Sequence, residues 1–311
     1  MKHFIGIDLG GTQIKMGLVR GEEIIARRDI MARSAEGIAI HLPLLEEAIN
    51  SMMTQTGVEM IDGVGLTFPG LVDVRKKEIT ATYGKYDDAK EIDLSAWVFS
   101  RWGCPYFMDN DTRMATVGEW QYGAGKGYDN VVMMTLGTGI GTSVIMEGRI
   151  VRGAHFQAGC LGGHFIIDLE GMDCSCGGKG CVEAHSASWS VDKQVKNSPD
   201  RDKSLLAGYD KVGYLELFEA ARKGDALALR IKQHSLHVWA AGITSLIHAY
   251  DPEVVVMGGA VMKSSHEVLP FVQSFVDRYA NTAWGKVKVL SSQLMNDAAI
   301  MGVVYCLQHE A

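Results

Sequence analysis

The sequence predicts a two-lobed α/β protein, and three observations carry that expectation. A pattern of strand, glycine turn and strand occurs twice, at about 4–20 and 131–151. Strand-like apolar runs alternate with stretches of helical spacing in both halves. The chain has 311 residues, 47% of them hydrophobic, enough to bury two cores. The two copies share architecture rather than residues, and two α/β lobes facing a cleft are the natural arrangement. The expected division is a small lobe over 1–112, completed by a C-terminal helix over 296–311, and a large lobe over 113–295 that carries an irregular loop at 153–185.

The elements follow in order. Residues 3–20 read as two strands around "DLGGT", and "EIIARRDIMA" (23–32) as a third. Leu, Ile and Met recur at helical spacing over 37–57. "IDGVGLTFPGLVD" (61–73) is a buried strand entering a Gly-Pro loop, and "DLSAWVFSRWG" (93–103) a helix with Asp93 or Ser95 as its N-cap. "PYFMDND" (105–111) is a short strand running into a helix at 112–123. Two strands are expected within 130–151. Helices are expected at 212–223, 225–250 and 264–281, strands at 253–262 and 286–292, and a closing helix at 296–308. "KNSPDRDKS" (196–204) reads as an exposed, mobile loop.

Composition excludes several classes. A formal charge of -7 argues against general affinity for nucleic acid or anionic membrane. No run of eighteen apolar residues is present, and Asp8 and Lys15 interrupt any signal-peptide core, so a cytoplasmic protein is expected.

Glycine inside a strand pair is costly, and "DLGGT" needs a reason. Without side chains, backbone N–H groups can approach a phosphate, Thr12 adds a hydroxyl, and an acid such as Asp8 beside polyphosphate serves magnesium, often through water. "LGTGIGTS" (136–143) is a second such turn; it opens a strand rather than a helix, so a dinucleotide fingerprint fails its context. "MGGAVM" (257–262) is a third glycine turn, equally readable as strand-to-helix packing. Each alone is also an ordinary turn; together they describe a clamp on a nucleoside triphosphate. The set resembles the actin-like ATPase fold. That resemblance implies phosphate hairpins at Asp8, Gly10, Gly11 and Thr12 and at Gly137, Thr138 and Gly139, and a nucleoside loop at Gly258 and Gly259.

"MDNDTRMA" puts Asp109, Asn110 and Asp111 at a strand end. Phosphoryl transfer to a hydroxyl needs a carboxylate to accept the proton, and an amide can hold a sugar hydroxyl through both its donor and its acceptor. The alternative for Asp111 is a helix N-cap. Three of six cysteines crowd into eight residues, and with His164 they form His-x9-Cys-x-Cys-x4-Cys: His164, Cys174, Cys176 and Cys181. That donor set suits a closed, structural tetrahedral zinc; the alternative is a group of free thiols.

Together these residues resemble the ROK family of bacterial sugar kinases. The resemblance covers nearly the whole chain, and its most specific stretch is "GAHFQAGCLGGHF…CSCGGKGCVE". It implies ATP- and magnesium-dependent phosphorylation of a hexose or amino-hexose, usually on the 6-hydroxyl, by a homodimer. Asp111 would be the base, Asn110 and Glu183 sugar ligands, His164 both zinc ligand and sugar contact, and Gly70 a backbone contact to the sugar. Two departures stand out. The family motif carries a Glu before the zinc cysteines; this chain reads "AGCLGGH", with Cys160 or Leu161 at that place, which removes an acceptor worth about 1.5–3 kcal/mol per hydrogen bond. The family's Pro-Asn-Leu lead into the sugar site is replaced by Tyr83, Lys85 and Tyr86, which would contact a substituted sugar or face solvent. A repressor of the family carries an added DNA-binding segment; only "MKHF" precedes the first strand here, so that form is not expected. A sugar-sensing pseudokinase is the alternative to an active kinase.

Overall fold

The computed structural model describes residues 1–310. The chain opens with β1 (His3–Leu9), β2 (Gln13–Arg20), β3 (Glu23–Met31), α1 (Leu42–Thr56) and β4 (Gly63–Phe68). The short pair β5 (Leu71–Asp73) and β6 (Glu78–Ala81) follows, then α2 (Leu94–Trp102), β7 (Tyr106–Asn110) and α3 (Asp111–Tyr122). Next come β8 (Val131–Leu136), β9 (Ile140–Met146), β10 (Arg149–Ile150), α4 (Val182–Ser186) and α5 (Ser188–Lys196). The chain ends with α6 (Tyr214–Arg222), α7 (Ala226–Tyr250), β11 (Val254–Gly258), α8 (Ser265–Tyr279), β12 (Lys288–Ser291) and α9 (Ala298–His309).

These elements form two compact units. The first holds residues 1–127, 152–158 and those from Gln293 to the end of the described residues; the second holds 128–151 and 159–292. Among the described residues each unit has a five-stranded sheet, ordered β3-β2-β1-β4-β7 in the first and β10-β9-β8-β11-β12 in the second. Both sheets begin with an antiparallel hairpin, β1 on β2 and β8 on β9, and then add parallel strands. The architectural repeat seen in the sequence is thus a repeat of strand order.

In the first unit, alternation along the opening hairpin buries Ile5, Ile7, Leu9, Ile14, Met16 and Leu18 in one core. The interior strand β4, between β1 and β7, is buried at every position, as expected for a strand covered on both faces. The C-terminal helix completes this unit because α3 and α9 meet backbone to backbone. A Cβ on Gly118 would lie 2.0 Å from the Ala298 carbonyl, and one on Gly302 1.8 Å from that of Met114. The buried Glu119 carboxylate accepts from the N–H groups of Ala124, Gln293 and Leu294 and so fixes the returning chain. In the second unit α7 is capped by Asp225, which accepts from Ala228 N at 2.8 Å. Its Trp239 is fully buried, and Trp239 Nε1 and Tyr214 Oη both donate to the Ser186 carbonyl, holding α4.

Several expectations shift. The division at 112/113 moves, because α3 packs on α9 and stays with the first unit. The start of the 153–185 loop also belongs to the first unit: Arg113, fully buried, donates to the Phe156 carbonyl at 2.9 Å, and Arg152 pairs with Asp109. The helix expected from 37 starts at Leu42; two 3-10 turns precede it, with Asp88 accepting from the N–H groups of Ile38 and Ala39. The β5–β6 pair, β10 and α5 were not anticipated. Segment 196–204 contains a 3-10 turn, and Asp225 accepts from the Ser204 hydroxyl at 2.9 Å. Of the helix expected over 296–311, Ala311 lies outside the described residues.

Candidate active site

In the first unit three neighbouring parallel strands end together. Register pairs Asp8 on β1 with Thr67 on β4, and Thr67 with Asp109 on β7. The carboxyl ends of parallel strands are where open α/β sheets bind ligands. Thr67, fully buried, donates its hydroxyl to Asp8 Oδ1 at 2.7 Å. Burial pushes the Asp8 carboxyl above its ordinary value, opposed by that hydrogen bond and by the charge of Lys15, its cross-strand partner. Neither Thr67 nor Lys15 was singled out from the sequence. The Asp8–Lys15 pairing could have been read from a hairpin closing at Leu9 and Ile14.

The triplet at the end of β7 divides its labour. Asp109 is fully buried between Arg113 (2.7 Å) and Arg152 (2.9 Å) and is structural. Asn110, not Asp111, is the N-cap of α3: its Oδ1 accepts from Arg113 N at 3.0 Å. Its Nδ2 donates to the Gly70 carbonyl at 2.9 Å and to Asp111 Oδ1 at 3.0 Å. Both amide hydrogens therefore orient protein groups, the Gly70 carbonyl and the Asp111 carboxylate. Asp111 is the first residue of α3 and accepts from Thr112 N at 2.6 Å. Burial, and after it the charge of Asp8, pushes its carboxyl up to about 6, while the Thr112 N–H and the Lys85 ammonium pull it down. A carboxylate in that range suits a general base near neutral pH.

The glycine turns separate into two kinds. A Cβ on Gly10 would strike the Gln13 carbonyl at 2.4 Å, so glycine there is needed to close the hairpin. Gly11 meets only the end of Lys85, at 3.5 Å, and a Cβ on Gly137 would have only the Gly139 carbonyl at 3.9 Å. Neither Gly11 nor Gly137 has a positive φ. Neither packing nor backbone conformation requires glycine at these two positions. Gly259 is different: its φ is 88° and a Cβ would lie 2.2 Å from the Leu136 carbonyl, so strand packing accounts for it.

In the second unit Glu183 lies in the first turn of α4, buried. Its Oε2 accepts from Ile140 N at 2.8 Å, and its Oε1 accepts from the Ser175 hydroxyl at 2.9 Å. It thus ties the Gly137–Gly139 turn to the cysteine loop. His164, Cys174, Cys176 and Cys181 bring four donor atoms within 4.8 Å of one another. His164 Nδ1 lies 3.6 Å from Cys174 Sγ, and Cys176 and Cys181 Sγ lie 3.8 Å apart. Tetrahedral zinc with bonds of about 2.3 Å to sulfur and about 2.05 Å to nitrogen has edges of about 3.8 Å (S···S) and about 3.6 Å (S···N). The residues present fit that ion, and Nδ1 as ligand leaves Nε2 of His164 for another contact. Apolar support for the loop is small: Cys174, Cys181 and Ala184, flanked by Met172 and Trp189. Of the aromatic residues expected near a sugar, Tyr86 is fully buried with its hydroxyl on the Gly10 carbonyl, and Tyr83 is 61% exposed.

Comparison with known proteins bears on the family and the fold. The model of the ROK family matches residues 4–310. A glucokinase of Thermotoga maritima is 30% identical, covering 96% of this chain and 95% of that protein. Among solved structures, a ROK hexokinase from Thermus thermophilus superposes with a TM-score of 0.81 at 27% identity, covering 97% of both chains. A ROK family glucokinase from Streptomyces griseus, in complex with glucose and AMPPNP, gives 0.79 at 28%, also over 97% of both chains. No helix among the described residues is long and apolar enough to cross a membrane.

Proposed function

The chain belongs to the ROK family and has its duplicated actin-like ATPase fold, and we propose that this sugar kinase transfers the γ-phosphoryl of ATP to the 6-hydroxyl of a hexose or hexose derivative. Asp111 is the base that takes the hydroxyl proton. The observation that carries this assignment is its placement: first residue of α3, held by Asn110 and Thr112, with a carboxyl pushed up to about 6 by burial and Asp8. Asp8, Gly10, Gly11, Thr12, Gly137, Thr138 and Gly139 serve the phosphates, with Gly258 and Gly259 toward the nucleoside. Asn110, Gly70, His164 and Glu183 hold the sugar. Magnesium, when bound, screens the phosphate charge, and Asp8 is the residue to hold it through water. Zinc on His164, Cys174, Cys176 and Cys181 stiffens the loop that carries the sugar contacts. The same reading makes the protein a cytoplasmic homodimer.

A sugar sensor without turnover is the second reading, favoured by Cys160 or Leu161 standing where the family motif has an acid. One experiment separates them: ADP release from MgATP against free hexoses, 2-acetamido sugars, ketoses and β-glucosides, with Asp111→Asn as the blank. Turnover that needs Asp111 supports the kinase and identifies the sugar class. Sugar-dependent thermal stabilisation with no ADP supports the sensor.

A further inference from the structure

The loop 82–88 is strained and firmly anchored. Tyr83 (φ 51°), Gly84 (75°) and Tyr86 (53°) are left-handed, a conformation that costs a tyrosine roughly 1–2 kcal/mol and persists only where surroundings enforce it. The enforcement is visible. Tyr86 is fully buried, its ring edge-on to His41 and its hydroxyl donating to the Gly10 carbonyl at 2.7 Å. Tyr86 N donates to the Ser34 carbonyl, and the Ser34 hydroxyl donates to the Gly11 carbonyl at 3.2 Å. Asp88 is held by the Ile38 and Ala39 N–H groups. The loop is therefore fastened to the first glycine turn itself.

The residue this delivers is Lys85. Its Cε and Nζ are the nearest atoms to the space over Gly11, at 3.5 and 3.8 Å from a side-chain position there. The side chain is half-buried, and no hydrogen bond or ion pair of its ammonium is found among the described residues. Asp111 lies within reach of its field. A half-buried ammonium without a protein partner, over the one open glycine of a phosphate turn, awaits an anion.

We propose that Lys85 binds the terminal phosphoryl group of the nucleotide and stabilises it during transfer. The inference rests on the kinase reading above and adds a catalytic residue to it. In the step, the bond between the γ-phosphorus and the β–γ bridging oxygen breaks, and a bond from the sugar oxygen to that phosphorus forms. The hydroxyl proton passes to Asp111 and ADP leaves with the bridging electrons. The Lys85 ammonium offsets the negative charge on the three non-bridging oxygens throughout.

The test is nucleotide affinity, measured calorimetrically for MgAMPPNP and MgADP on the full chain, Lys85→Met and Lys85→Arg. Methionine keeps an apolar stem over Gly11, and unchanged thermal midpoints check that the fold is kept. Lys85→Met is expected to weaken MgAMPPNP about tenfold or more and MgADP less than about twofold, with Lys85→Arg recovering most of the loss. Unchanged MgAMPPNP affinity, or equal weakening of both nucleotides, overturns the assignment while leaving the kinase reading in place. Unchanged nucleotide affinity with a raised KM for acidic sugars alone would make Lys85 a sugar contact and also overturns it. Failure of the unmutated chain to bind either nucleotide removes the kinase reading and this inference together.

Discussion

Replacing Asp111 by asparagine separates chemistry from folding. The base must be ionised, so with its carboxyl near 6 about a tenth of the chains are competent at pH 5 and about nine-tenths at pH 7. The kcat/KM of the unmutated enzyme should therefore rise about tenfold across that interval, approach unit slope only below it, and level above it. Asp111→Asn should lower kcat by about 10²–10⁴, the usual worth of a positioned base, and abolish the limb. Stability should move the other way. The folded carboxyl lies above its unfolded value of 3.8, so the folded state holds the proton more tightly and stability falls as pH rises from about 4 to about 6. This rise is worth at most about 3 kcal/mol, less because the side chain is partly exposed. Asparagine keeps the acceptor for Thr112 N and carries no charge. The variant should melt no lower than the parent at pH 7.5, with any advantage vanishing at pH 4. Steady-state kinetics from pH 5 to 8 and thermal melts at both pH values check this. A pH limb that survives in Asp111→Asn, or near-normal turnover, refutes the assignment.

Other predictions follow from the same geometry. The purified chain should carry about one zinc; Cys176→Ser should lose it and lower the melting temperature, as should a chelator, and metal analysis finding no zinc in the parent would remove that site. Asp109→Asn leaves the fully buried Arg113 and its neighbour Arg152 without their shared carboxylate, which should cost about 3–5 kcal/mol by urea unfolding; a loss under about 1 kcal/mol would contradict the structural role. Glu183→Ala strands the buried Ile140 N–H and frees Ser175, so KM should rise for both ATP and sugar, with about 1–3 kcal/mol lost in stability. Unchanged kinetics would mean that the glycine turn needs no such brace.

What the sequence shows and hides follows the range of the interactions. The opening hairpin, the Asp93 cap, the cysteine cluster and the glycine turns are local and were legible. Asp93 accepts from Ala96 N at 2.8 Å, as its place before an apolar helical run implies. The triplet at 109–111 was legible as a polar cluster but not in its roles, because what makes Asp109 structural is Arg152, forty-three residues away. Thr67 reaches Asp8 across fifty-nine residues, and only strand order makes them neighbours. The lobe boundary failed for the same reason, since two glycines that bring α3 and α9 together carry no signal of their partner.

The altered motif "AGCLGGH" bears on whether this chain is an impaired kinase or one with a different acceptor. A Cβ on Gly163 would lie 2.1 Å from the Ile140 carbonyl, and one on Gly162 2.8 Å from the Thr142 hydroxyl, which itself accepts from Gly162 N. The two glycines are seated against β9 directly behind the second glycine turn. The repacked turn places Leu161 before a 3-10 turn whose first bond runs from His164 N to the Leu161 carbonyl at 2.9 Å. The loss is thereby confined to one side-chain acceptor, while Glu183 keeps its bonds to Ile140 N and Ser175 and the His/Cys cluster stays together. A charge-assisted hydrogen bond removed from an otherwise intact site changes which sugar is held and how tightly. It leaves the hydrogen bonds that hold Asp111 in place, which weighs toward the proposed kinase with a changed acceptor over a sensor.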